Sequence, residues 1–386
     1  MADIRMTTYR DLVGHILDYM GGSISDEINL RKARRAVLAA YASTTRAKMW
    51  SYYRQMGHVL TVASQTTGTI TYTHSTRAVT LASSTWPSWA ALGTILIDNQ
   101  AYDIATRDST TQLTLSLNNN PGANVAAGTS YSLVQDTYAL PCDLISVDEL
   151  VNMTIPSCMD YLEPSAWLAL HRVYRGAGIP DRFTITRHPK YHGLLALRVY
   201  PAPSQILRFE FVYRRQPRAL VVDLYETGTC TVSSLLDSLT GNGTTWTSGM
   251  VGAVVRISTS STDAPTSPAG DNPALVERTV TAYTGETALT MDAAPGVDKT
   301  AVKYTISDPV DVESGAMATL LLRECERQAR MICRLTATEY EEAQFVEAER
   351  MAWEADSRSS ERKVSGQGGG YWINPKYLPN SLADTH

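Results

Sequence analysis

At 386 residues the chain is long enough for two or three domains. Hydrophobic residues make up 44%, enough for a packed core, whereas the 19% of charged residues and the net charge of −5 provide no overall basic field for holding nucleic acid non-specifically. Five cysteines without a C-x-x-C pair (Cys142, Cys158, Cys230, Cys325 and Cys333) argue against a disulfide framework or a zinc ribbon, and small buried thiols are expected. Met1 to Arg5 carry no apolar signal core, and no apolar run reaches the length of a membrane span.

In chain order, a first helix is predicted over Met6 to Tyr19, ended by Gly21-Gly22. A second runs from Asp26 towards Gln55, free of Pro and Gly, with Leu30, Ala33, Val37, Tyr41, Thr44 and Ala47 as its apolar stripe and Ser25 as its N-cap. A Ser/Thr-rich β stretch follows. A third helix is expected over Ser165 to Arg175, between Pro164 and Gly176. Strands are predicted at Phe183 to Thr186, Leu194 to Tyr200 and Ile206 to Tyr213. From Val312 a long helix carries Met317, Leu321, Cys325, Ile332 and Leu335 near one face. Two capping-box patterns, Thr336-x-x-Glu339 and Thr338-x-x-Glu341, predict a break and a further helix to about Arg358. After Lys363 comes a glycine-rich linker, then Tyr371-Trp372-Ile373 and Tyr377-Leu378-Pro379.

The β stretch occurs twice. Gly68-Thr69-Ile70-Thr71 matches Gly228-Thr229-Cys230-Thr231, and eighteen residues after each Gly stands a Trp, Trp86 or Trp246. Leu92 to Ile97 then matches Val251 to Ile257, Thr111 to Leu115 matches Thr287 to Met291, Pro121-Gly122 matches Pro295-Gly296, and Tyr131 to Asp136 matches Tyr304 to Asp308. Period-two alternation between turn residues reads as two small barrels or sandwiches. Trp86 and Trp246 are read as plugs of the module cores rather than carbohydrate platforms. The extra Ser258 to Asn272 loop of the second copy is expected to be mobile. The resulting organisation is a helical core of residues 1–58, 137–225 and 309–363, two homologous inserts at 59–136 and 226–308, and an extended segment at 364–386. The fold class expected is α+β: a multi-helix core with a small antiparallel β element, interrupted by two all-β modules.

The residues offer no G-x-S-x-G, H-E-x-x-H or P-loop pattern, so neither an enzyme nor a bound cofactor is expected. His188 and His192 share a metal-ligand spacing, but Pro189 and Gly193 favour a turn. Charge patterning is more informative. The second helix is basic and the last is acidic, so Arg31, Arg34 and Arg35 are candidates for pairing with Glu339, Glu342 and Glu349 of a neighbouring subunit. DNA binding by the basic helix is the alternative.

The core runs from a helix pair reaching Met49-Trp50-Ser51-Tyr52-Tyr53 through Thr137 to Asp143, Pro180 to Ile185, Leu197 to Pro203 and Phe209 to Pro217 to a long C-terminal helix. This order resembles the head–tail adaptor (connector) proteins of tailed bacteriophages. The inserts look like Ig-like or small-barrel domains of virion proteins. The resemblance implies a virion neck protein, assembled in the host cytoplasm. It would form a ring of twelve copies docked on a portal protein, meet tail nozzle, tube or fibre proteins, and frame a channel through which genomic DNA passes at ejection. No membrane partner is implied. Tyr371, Trp372, Ile373, Tyr377 and Leu378 would be the portal anchor. Two other readings compete: a tail or baseplate protein whose modules hold fibres or host glycans, and, disfavoured, a glycan-active enzyme.

Overall fold

The computed structural model describes residues 7–23, 26–153, 157–173, 176–265, 272–313, 315–334, 336 and 338–362. Five α-helices occur among them: α1 (Tyr9–Tyr19), α2 (Glu27–Arg46), α3 (Pro164–Val173), α4 (Ala316–Cys333) and α5 (Glu339–Arg362). The described residues divide into two compact units, one within 7–52 and 217–362 and the other within 53–216.

The second unit is almost wholly β. β1 (Arg54–Leu60) leads into a first module of β2 (Thr69–Thr73), β3 (Ala78–Ala82), β4 (Thr94–Ile97), β5 (Gln100–Arg107), β6 (Gln112–Leu115), β7 (Val125–Thr129) and β8 (Tyr131–Val134). The chain continues through β9 (Thr137–Ala139), β10 (Leu144–Asn152), β11 (Ser157–Cys158), β12 (Asp160–Tyr161), β13 (Ala177–Gly178), β14 (Arg182–Arg187), β15 (Leu195–Tyr200), β16 (Ala202–Pro203) and β17 (Arg208–Arg215). These strands form sheets of order β1-β17-β10-β11 and β12-β14-β15-β9, with β13 and β16 as a separate pair. Both larger sheets feed one core: Val59, Phe209 and Phe211 from the first meet Tyr138, Phe183, Leu197 and Val199 from the second. Alternation explains the choice, since Phe209, Phe211 and Tyr213 occupy every second position of β17 and all are buried.

The expectation of a multi-helix core with a small β element is overturned: the structure is mostly β, with several antiparallel sheets. Two causes stand out. Residues 137–216 supply seven of the eight strands of two four-stranded sheets rather than a small antiparallel element of three, because β9, β10 and, from outside that range, β1 join as pairing partners distant in sequence. The second helix also stops at Arg46 instead of continuing towards Gln55. There Trp50 folds back, buried, and its indole N–H donates to the Thr44 carbonyl at 2.9 Å, satisfying an acceptor that a longer helix would have used. The chain beyond is β1. Asp26 caps α2 by accepting from the Ile28 and Asn29 N–H groups, and Ser25 lies outside the described residues.

The first unit holds the other four helices and a second module: β18 (Thr229–Val232), β19 (Ser238–Asn242), β20 (Val254–Ile257), β21 (Val276–Gly285), β22 (Ala288–Met291), β23 (Lys299–Val302) and β24 (Tyr304–Ser307). Its strand order, β23-β18-β19-β22-β21-β20-β24, is that of the first module, β7-β2-β3-β6-β5-β4-β8, strand for strand. Each module has its own apolar core, with Trp86 in one and Trp246 in the other.

Both sheets also curl and close in the same way. Gln65 exchanges two backbone hydrogen bonds with Leu133 of β8, and Tyr225 does so with Ile306 of β24. The Tyr131 hydroxyl donates to the Thr67 carbonyl at 2.9 Å and stands edge-on to Trp86; Tyr304 donates to Thr227 at 2.6 Å and stands edge-on to Trp246. Pairing the opening segment with the last strand covers one edge, that of β8 or β24, which an open seven-stranded sheet would expose.

Each closure needs the glycine that opens the module. Gly68 and Gly228 have φ of 92° and 82°, and a Cβ there would lie 2.4 Å from the Ala82 carbonyl oxygen and 2.5 Å from that of Asn242. Gly122 also has positive φ, 75°, but faces open space. Gly68→Ala and Gly228→Ala should each lower stability by more than about 2 kcal/mol, and Gly122→Ala by about 1 kcal/mol. Equal costs in chemical denaturation would show that close approach of the backbone is not what selects the glycines.

Candidate assembly surfaces

The helical part of the first unit is built on small residues. Ala33, Ala36, Val37 and Ala40 of α2 pack with Leu12, Val13, Ile16 and Leu17 of α1 and Leu321, Cys325 and Ala329 of α4. The Thr8–Asp11 capping box starts α1, and Thr338 with Glu341 caps α5, as its sequence pattern predicts. Helix α5 packs on α4 and is tied at its far end by Asp356. That carboxylate accepts from the Ser51 N–H at 2.7 Å and pairs with Lys48 at 2.9 Å. Burial opposes its ionisation, but Lys48 and Ser51 outweigh burial and hold its pKa below the ordinary value.

The sequence-selected charges separate into two groups. Arg34 is held within its own chain, donating to Asp223 at 2.7 Å. Arg31 and Arg35 are exposed on α2, and Glu339, Glu342 and half-buried Glu349 lie on α5. None of these five forms an ion pair among the described residues. Tyr371, Trp372, Ile373, Tyr377 and Leu378 lie outside the described residues. Trp86 and Trp246 are buried, at 2% and 1% exposure, so neither offers a face to a glycan. Cys142 is exposed, unlike the buried Cys230 and Cys325. His188 Nδ1 accepts from the Lys190 and Tyr191 N–H groups, fixing a turn. The ends of the extra loop are joined where Asn272 Nδ2 donates to the Asp263 and Ala264 carbonyls, and residues 266–271 lie outside the described residues.

The two modules differ most on the outer face of the β5-β4-β8 and β21-β20-β24 strands. In the second module this face holds helix α1. Arg256 of β20 is buried, donates from both terminal nitrogens to the Asp11 carboxylate at 2.7 Å, and donates from Nε to buried Glu277 of β21 at 2.8 Å. Next to it, the Tyr9 N–H donates to the Asp308 carbonyl and the Arg10 N–H to Ser307 Oγ. The buried Asp308 carboxylate receives Arg218 and the N–H groups of Val221 and Val222 at 2.6–2.7 Å. Sequence reasoning missed this network, although the repeat alignment carried its signal: the cross-strand pair Arg256–Glu277 replaces Leu96–Ala101.

In the first module the same face stays partly open. Leu96, Ala101 and Val134 line a groove of about 280 Å³, completed by Leu168 of α3, Arg198 and Tyr200. Arg198 pairs with Asp136 at 2.9 Å, and Lys190 donates to the Ile104 carbonyl at 2.6 Å and to that of Ala91. These contacts tie the module to β15 and to the turn that precedes it.

Arg256→Leu should destabilise the first unit by about 3–5 kcal/mol, because it leaves Glu277 buried without its cation. Arg256→Leu with Glu277→Ala, which copies the first module, should cost less than the single change. A double variant at least as damaged as the single one in thermal melts would contradict that coupling. Asp356→Asn should cost about 1–3 kcal/mol at neutral pH. Because the native carboxyl is depressed, its stabilisation is complete above the unfolded value near 4 and fades as pH falls through the lower native value, so the two melting curves should converge in acid.

Residues 100–236, about a third of the chain, match the family model of the SU10 adaptor protein. The match begins at β5, takes in every strand of the two four-stranded sheets except β1, and ends after β18. No curated protein matches the chain in sequence. The family match supports a phage adaptor-type protein, a component of the virion.

Proposed function

We propose that this chain is a non-enzymatic structural adaptor of a tailed-phage neck, present as a ring of twelve copies between portal and tail, around the path of the genomic DNA. The observation that carries the reading is the match of residues 100–236 to the SU10 adaptor protein. One feature agrees with it. The glycine-rich stretch before Tyr371 and Trp372 suits a tethered anchor that enters a cleft of the portal, since large aromatic side chains dominate interface energetics. Many weak anchors on one ring bind together, because the first contacts raise the effective concentration of the rest.

A role in holding tail fibres or other peripheral proteins is the second reading. It is favoured by the open groove on the first module, at the face that its sister module uses to hold a helix.

Electron microscopy of the full chain mixed with its portal should show rings of portal symmetry. Truncation after Lys363 should leave a folded protein that no longer stays on the portal. Full occupancy of the portal by the truncated chain would eliminate the anchor, and absence of the protein from the neck of the particle would eliminate the adaptor reading.

A further inference from the structure

Helices α2 and α5 each carry an outward stripe with the spacing of a coiled-coil seam. On α2 it is Ile28, Arg31, Arg35, Leu38 and Ala42; on α5 it is Glu339, Glu342, Val346, Glu349 and Trp353. Successive members are three, four, three and four residues apart in both, which places each set along one side of its helix. Neither stripe is the face that holds its helix in the bundle. α2 is buried through Ala33, Ala36, Val37 and Ala40, and α5 through Ala348 and Ala352.

The stripes mix large apolar side chains with charges of opposite sign. Ile28 is 57% exposed, Leu38 42%, Val346 59% and Trp353 45%. One ring face of Trp353 meets Lys48, and the rest is open. Arg31 and Arg35 on one stripe and Glu339, Glu342 and Glu349 on the other form no ion pair among the described residues. Neighbouring charges on the same helices do: Arg34 with Asp223, and Arg350 with Glu347 and Glu354. Apart from half-buried Ala42 and Glu349, the members of both stripes are exposed, so the stripes do not meet within one chain.

We infer that the α2 stripe of one copy packs against the α5 stripe of the next, in antiparallel register. That register sets Ile28 opposite Trp353, Arg31 opposite Glu349, and Arg35 beside Val346 and Glu342. A parallel register would set Ile28 against Glu339 and Trp353 against the small Ala42, losing the contact between the two large apolar ends. The contact joins two different surfaces, so it is heterologous and propagates from copy to copy until a ring closes. A single helix pair buries little area for a stable complex, so the contact is weak singly and strengthened by closure. The inference deepens the adaptor reading by naming the face between copies, but its test is independent of portal and particle.

The test is sedimentation of the full chain at low salt, where exposed charge pairs are least screened. The wild type should self-associate. Arg31→Glu with Arg35→Glu, and separately Glu342→Arg with Glu349→Arg, should each weaken association by at least about tenfold. Circular dichroism should show both variants folded. Each variant alone sets like charges against each other, whereas mixing the two brings the reversed α2 of one against the reversed α5 of the other and the unaltered α2 against the unaltered α5, so association should return in the mixture. The chain carrying all four reversals likewise restores matched charges and should regain association. Association unaffected by the two-residue reversals, or not restored in the fourfold variant, overturns the inference while leaving the adaptor reading intact. So does a wild type that stays monomeric at its highest soluble concentration and uses Arg31 and Arg35 to bind duplex DNA.

Discussion

A guanidinium with almost no access to water joins the second β-module to the helices of its unit. A charge at that depth is tolerable only when its hydrogen-bonding capacity is met by fixed partners, and Arg256 has two carboxylates. One of them, Asp11, is also the N3 residue of the capping box that starts α1. The direction in which α1 leaves the module is therefore set by the same side chain that completes the ion pair. Helices α2 and α4 pack on α1 through alanines and short aliphatics, and α5 packs on α4. Displacing α1 would take Asp11 from the buried Arg256 and disturb the helical core at the same time.

The internal repeat shows how one frame serves two tasks. Strand order, the opening glycine, the Trp–Tyr contact and the closing bridge are common to both modules, because a small sheet closes on itself only if its first and last segments meet. The outer face is free of that constraint and has diverged. Where one copy carries Arg256 and Glu277 under a helix, the other carries Leu96 and Ala101 beside a groove. Even the plugs differ in detail. The Trp246 indole donates to Tyr304 at 2.9 Å, whereas that of Trp86 has no partner among the described residues.

The weight of β-structure was underread for a definable reason. Strands β1, β9 and β10 are specified by partners far away in sequence: β1 pairs with β17 about 150 residues later, and β10 pairs with the other edge of β17. β1 reads Arg-Gln-Met-Gly-His-Val-Leu, with only Val59 buried, so its own alternation is faint. The stretch before it contains no Pro or Gly and extrapolates naturally as helix. What ends that helix is a tertiary contact, the Trp50 indole on the Thr44 carbonyl.

By itself the sequence determined whatever local patterning or self-comparison can carry. The repeat was visible because two copies of one fold repeat their glycines, tryptophans and alternating strands at matching intervals. The last two helices were visible because a capping box and an apolar stripe lie within a few turns of chain. The exposed basic and acidic residues of α2 and α5 were visible as charge, and a helical period converts spacing into a face. Only the tertiary structure decided which of those charges were engaged at home. Arg34 reaches Asp223, 189 residues away, while Arg31, about a turn earlier, and Arg35, the next residue, are exposed and form no ion pair among the described residues. It also decided that Arg256 would be buried and Asp356 would clamp a helix, because burial and pairing depend on which surfaces long-range packing brings together, and no local pattern encodes that.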